Sequence, residues 1–221
     1  SLNSGDFKIL KYNNAKEVEI QFLKTGFETT VQLVQVKSGK VKDPYVHSVF
    51  GVGISGTKYP SKVNGVKTKE YVLWHSMLVR CYSDKSKKKH PTYEGCEVSD
   101  SFKSYEYFYE WCHSQIGFGN KDWHLDKDIL IKGNKLYSED TCCFIPREIN
   151  NLLTMRKRFR GNDCPVGVHW SNNKNRYVAQ VSVSGGKRKH LGCFTNAQEA
   201  FLVYKQAKES YIKEVAEKWK D

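Results

Sequence analysis

Apolar and polar positions alternate with period two near the start of the chain, and the period changes twice further along. Phe7, Ile9 and Leu10 open an apolar run, and Val18, Ile20 and Phe22 alternate with charged or polar neighbours. Thr25-Gly26 and Ser38-Gly39 supply turns, and the stretch from Thr29 to Val36 is rich in β-branched residues. This pattern predicts strands over residues 6–42, arranged as a small twisted sheet or an SH3-like barrel. Gly51-Val52-Gly53-Ile54-Ser55-Gly56 lacks the Gly-Lys-Ser/Thr that completes a phosphate loop, so it reads as a turn closing the barrel.

Residues 59–68 are rich in Pro, Gly, Asn and Lys and read as a linker. After them Val72, Leu73, Trp74, Met77, Leu78 and Cys81 fall on one helical face, which predicts a helix over residues 69–82. Residues 84–90 hold four lysines and read as a basic loop, either a solvated face or a phosphate contact. Phe102, Tyr105, Phe108, Tyr109 and Cys112 recur at spacings that predict a second helix over residues 102–114, with its aromatic stripe in the core. Period two then returns. Val166 to Trp170, Arg176 to Ser184 and Lys187 to Phe194 predict three strands, joined by a polar turn at 171–175 and a Gly185-Gly186 hairpin. Thr195 or Asn196 caps a helix starting near Ala197, with Ala200, Phe201, Tyr204, Ala207, Tyr211 and Val215 on one face.

Charge narrows the function classes. Thirty-six Lys and Arg against 24 Asp and Glu leave +12 over 221 residues, so a polyanion is the leading partner. From Met155 onward 14 basic and 6 acidic residues give +8, against +4 for the first 154. No apolar run is long enough to span a bilayer, and the N-terminus lacks a basic-then-apolar secretion pattern. The expectation is a soluble cytoplasmic protein without membrane partners, residing in a bacterial host cell if phage-encoded. Seven cysteines, two of them adjacent and none in a CxxC pair, argue against a disulfide framework and against structural zinc.

The densest chemistry lies in His124-Leu125-Asp126-Lys127-Asp128, followed by Gly133-Asn134, Tyr137-Ser138, Thr141-Cys142, Phe144, Pro146 and Asn150-Asn151. Strand, loop, strand and helix are expected in that order, the order of parts of a one-metal nuclease site. With Trp74, Met77, Arg80-Cys81-Tyr82, Tyr93, Gly95, Val98 and the segment Phe102 to Trp111, this series resembles phage and bacterial HNH-type endonucleases over residues 70–154. The resemblance implies a ββα-metal fold that holds a divalent metal, Mg²⁺ with Mn²⁺ as the alternative. It places Asp126 as a metal ligand and Asn150, or its neighbour Asn151, as the ligand from the helix. Lys127 stands where better-known members carry the general-base histidine, and lysine holds its proton at neutral pH unless strongly desolvated. His124 is the other candidate base. Residues two apart on a strand share a face, which would group His124, Asp126 and Asp128. Thr141 stands in place of the asparagine that braces the loop, and Asn134 is a candidate substitute. The candidate catalytic residues are therefore His124, Asp126, Lys127, Asp128 and Asn150.

Met155 to Asn162 forms a basic joint in which Arg156, Arg158 and Arg160 could follow a phosphate backbone or enter a minor groove, or simply stay solvated. Beyond it, Gly167-Val168, Tyr177-Val178-Ala179-Gln180-Val181, Leu191-Gly192, Phe194, Ala197 and Glu199-Ala200 resemble the Apetala/ethylene-response-factor DNA-binding domain. In that family a three-stranded sheet enters the major groove. The resemblance assigns reading positions to His169, Gln180, Ser182, Arg188 and His190, with Lys174 and Arg176 nearby. Several of that family's arginines and tryptophans are absent here, so its target sequence does not carry over.

The expected fold class is α+β in three parts: a small β module over residues 1–60, an HNH-like ββα-metal nuclease domain over 69–154, and, after a basic linker at 155–163, a three-stranded antiparallel sheet with one packed helix over 164–221. The expected function is metal-assisted cleavage or nicking of double-stranded DNA, as in homing endonucleases. The rival is a catalytically inactive DNA-binding or regulatory protein on the same scaffold.

Overall fold

The computed structural model describes residues 1–2, 4–153, 164–183 and 186–220, and it is mixed α+β. Its contacts divide it into two units, Ser1–Ile145 and Pro146–Asp221. The predicted basic joint with Arg156, Arg158 and Arg160, and Gly185 of the predicted hairpin, lie outside the described residues.

In the first unit the early alternation becomes an antiparallel sheet of β1 (Phe7–Asn14), β2 (Glu17–Phe22) and β3 (Glu28–Val31), in that order. Val18, Ile20 and Phe22 turn inward and are at most 1% exposed, with Val41, Phe27, Val31, Leu33 and Val36 packed on them. Of the two expected arrangements, the small sheet forms and the SH3-like barrel does not. The stretch 29–36 is not one strand: the Gln35 side chain accepts from the Gln32 amide at 3.0 Å and starts a short helix, α1 (Leu33–Lys37). The predicted linker also contains structure: β4 (Lys62–Val63) and β5 (Val66–Lys67) pair around Asn64-Gly65.

Helix α2 (Lys69–Tyr82) has the predicted bounds, with Thr68 accepting from the Tyr71 amide at its start. The lysine-rich stretch is also helical, as α3 (Asp84–Lys89), capped by Ser83 and opened by Asp84. The second predicted helix is two: α4 (Asp100–Lys103) and α5 (Tyr105–Ser114). Ser104 divides them, its side chain accepting from the Tyr107 amide as the cap of α5. The aromatic stripe is core as expected. Trp74, Phe102, Tyr105 and Phe108 are at most 1% exposed, and the Trp74 indole donates to the Phe102 carbonyl at 2.9 Å. Four short strands complete this unit: β6 (Glu97–Val98) runs parallel to β8 (Leu136–Tyr137), and β7 (Trp123–Asp126) pairs with β9 (Cys143–Pro146).

The second unit begins with α6 (Arg147–Leu153) and continues as an antiparallel sheet in the order β10 (Val168–Ser171), β11 (Arg176–Ser182) and β12 (Arg188–Phe194). Helix α7 (Ala197–Lys218) packs on one face of the sheet, its start capped by Asn196 onto the Gln198 amide at 2.6 Å. Val168, Ala179 and Ala200 are fully buried between sheet and helix, flanked by Tyr177, Leu191, Phe194, Phe201 and Tyr204. Among the described residues no helix is long and apolar enough to cross a membrane. All seven cysteines are free thiols, and burial pushes Cys81 and Cys142 up to about 12.

Candidate functional site

Strand β7 sorts its side chains by face. Trp123 and Leu125 pack against the core of the first unit, so His124 and Asp126 share the opposite face, with His124 exposed and Asp126 half-buried. That grouping agrees with the sequence reading, but Asp128 does not belong to it. The strand ends at Asp126, whose Oδ1 accepts from the backbone amides of Asp128 and Ile129, each at 2.8 Å, and turns the chain there. Period-two alternation therefore stops before Asp128. Its carboxylate is taken by Lys127 Nζ at 2.6 Å.

Lys127 is a brace. Its side chain is 7% exposed, and Nζ donates to Asp128 and to the Asn134 carbonyl at 2.5 Å while lying 5.7 Å from the Tyr137 ring. Asn134 returns the bond. Its amide donates to the carbonyls of Lys127 at 2.8 Å and Leu136 at 2.5 Å, and its Oδ1 accepts from the Leu136 amide at 3.0 Å. Thr141 closes the far end, donating to the Leu136 carbonyl at 2.7 Å and accepting from the Ser138 amide at 3.1 Å. The bracing role that sequence left open between Asn134 and Thr141 is thus shared by both, with Lys127 as a third member. Lys127→Met would leave the Asn134 carbonyl without its ammonium donor, and a loss of about 1–3 kcal/mol is expected in denaturant unfolding.

Asn150 lies half-buried on α6, in the second unit. On the same helix Glu148 accepts from Tyr211 at 3.0 Å and from Lys218 at 2.7 Å, which ties α6 to α7. Among the described residues, no three His, Cys, Asp or Glu side chains come together as a metal-binding group.

The second candidate surface is the sheet face turned away from α7. Register places His169 beside Val178, Gln180 beside His190 and Ser182 beside Arg188. Tyr177, Ala179 and Val181 point to the helix side, so Arg176, Val178, Gln180 and Ser182 point outward together with His169, Arg188 and His190. The structure thus brings together six residues singled out from sequence. Val178, flanked by its register partners His169 and Cys193, is buried among them. Cys193 is an addition that simple alternation misses. A bulge at Leu191 shifts the phase of β12, so Cys193 faces outward, 3.6 Å from Lys174 Nζ and 3.8 Å from His190 Nε2. Gly192 permits the bulge: its φ is +144°, and a Cβ there would stand 3.0 Å from the Phe194 ring. A glycine inside a strand pattern was the available signal.

Charge is segregated in this unit. Residues 164–196 contain Lys174, Arg176, Lys187, Arg188 and Lys189 and no carboxylate, whereas α7 balances Glu199, Glu209, Glu214 and Glu217 with four lysines. Basic, amide and imidazole groups on one exposed sheet can pair with phosphates and with the acceptor edges of bases. Comparison of the chain with protein-family models, with curated proteins and with solved structures finds no match.

Proposed function

We propose that this protein binds double-stranded DNA through the outer face of β10–β12 and hydrolyses a phosphodiester bond at the strand end that carries His124 and Asp126. The observation that carries the binding half is the carboxylate-free sheet face with Arg176, Gln180, Arg188, His169 and His190 in register. Arginine and glutamine can each make two parallel hydrogen bonds to a base edge, and the other cations neutralise phosphates.

For the chemistry, His124 is exposed and Asp126 half-buried on one face, at the mouth of a loop held by Lys127, Asn134 and Thr141. This sparse oxygen and nitrogen set suits Mg²⁺ or Mn²⁺, which commonly bind through one or two carboxylates and keep water and substrate phosphate as further ligands. Asp126 would hold the ion, and the ion would stabilise charge on the phosphate oxygens. His124 would take the proton from the attacking water, and the braced loop would keep the carboxylate in place. A second reading, a DNA-binding protein without turnover, is favoured by Asp126 Oδ1, which is already committed to two backbone amides.

Two measurements on the full chain test these readings. Nicking of supercoiled plasmid in Mg²⁺ or Mn²⁺, abolished by EDTA, is the expected result. Salt-sensitive retention of duplex DNA with no nicking in any metal supports the second reading. Arg176→Gln with Arg188→Gln should weaken duplex binding by about 10- to 100-fold, the size of a lost bidentate base contact, and no weakening would remove the sheet from the interface.

A further inference from the structure

Residues 57–69 contain Lys58, Lys62, Lys67 and Lys69 and no carboxylate. Two of these lysines are used within the fold. Lys58 Nζ pairs with Glu110 at 2.5 Å, and Lys69 Nζ donates to the Phe118 carbonyl. The other two, Lys62 and Lys67, stand directly opposite each other across the β4–β5 ribbon; Lys67 Nζ lies 5.6 Å from the Tyr71 ring, and among the described residues neither lysine has a carboxylate partner.

That arrangement works against the ribbon. Like charges facing each other across a strand pair are destabilising, and a lone two-stranded ribbon is marginal in water. Its other cross-strand pair gives little in return, because Val63 and Val66 are 54% and 72% exposed. The ribbon is held from its base. The Thr68 amide donates to the Ser61 carbonyl at 3.1 Å, and the buried Tyr105 hydroxyl donates to the Pro60 carbonyl at 3.1 Å. Burial, and after it the positive charge of Lys67, hold the nearby His75 imidazole below its usual range.

We infer that the β4–β5 ribbon is a second DNA contact, in which Lys62 and Lys67 each neutralise a backbone phosphate. A firmly based projection carrying two lysines in register and no internal counter-charge is complementary to a polyanion, and a two-stranded ribbon is narrow enough to lie along a DNA groove. The inference rests on duplex DNA being the ligand, as proposed above, but on different residues in a different unit.

The test compares wild type, Lys62→Gln/Lys67→Gln and, as a control for net charge, Lys8→Gln/Lys11→Gln on the exposed strand β1. Affinity for a short duplex is measured from about 50 to about 200 mM salt, with thermal unfolding to show that each variant is folded. Loss of two phosphate contacts should lower the slope of log affinity against log salt by about 1.8, equivalent to roughly a tenfold smaller loss of affinity across that range. The control should keep the wild-type slope. An unchanged slope in the ribbon variant, or an equal fall in the control, overturns the inference. If the Arg176/Arg188 variant weakens binding while the ribbon variant does not, only the ribbon contact fails. If wild type retains no duplex even at the lowest salt, the DNA-binding reading fails with it.

Discussion

Asp126→Asn should reduce metal-dependent nicking by about 10²- to 10⁴-fold, the range typical of removing one catalytic group, while leaving the fold and duplex binding intact. The substitution separates two jobs of one side chain. The amide oxygen of asparagine can still accept from the Asp128 and Ile129 amides, so the turn after β7 survives. What disappears is the negative charge. Asp126→Ala would remove both and would mix a folding defect with a chemical one. His124→Ala is the companion: the residue is exposed, so its loss should cost rate with little change in stability. Full nicking by Asp126→Asn would place the chemistry elsewhere in the chain.

Gly167→Ala should unfold the second unit selectively. Gly167 has φ +81°, and a Cβ there would stand 2.1 Å from the Tyr204 ring of α7. The left-handed backbone costs about 1–2 kcal/mol for alanine. Crowding in a packed interior adds about 1–3 kcal/mol. In a unit this small, each kcal/mol lowers the melting temperature by about 4–8 °C, so a fall of at least about 10 °C is expected. Hydrogen exchange should rise in peptides from β10, β11 and α7 and stay unchanged around α2 and α5, and duplex binding should be lost with the sheet. Tyr204→Ala in the same chain removes the ring that the new methyl would strike. The double variant should therefore be less damaged than the sum of the two single ones. Strict additivity would mean that the ring is not the obstacle.

Where local chemistry decides the structure, the sequence was legible. The three C-terminal strands follow from alternation and turn residues, and α2 follows from apolar residues at three- and four-residue spacing. The shared face of His124 and Asp126 follows from the same alternation. Helix α3 was not legible by that route: Asp-Lys-Ser-Lys-Lys-Lys has no apolar stripe, and its signal was the Ser83 cap. The β4–β5 ribbon has two residues per strand, too few to show a period, although its Asn-Gly turn is a hairpin signal. Lys127 was harder. Nothing local says that its ammonium will be buried, because the Asn134 carbonyl that receives it is seven residues away across a loop. Asp128 was misplaced for the opposite reason, since alternation was carried past the point where the Asp126 side chain ends the strand.

The uneven charge of the second unit has a kinetic consequence. With five cations and no carboxylate between residues 164 and 196 and a neutral α7, the sheet and this helix together carry an electric moment pointing out through the sheet. In the field of a polyanion such a body feels a torque before it feels a contact, so it arrives sheet first instead of searching all orientations. Fewer encounters are then wasted. Added salt should slow association well before it speeds release, because screening reaches the long-range torque sooner than the short contacts.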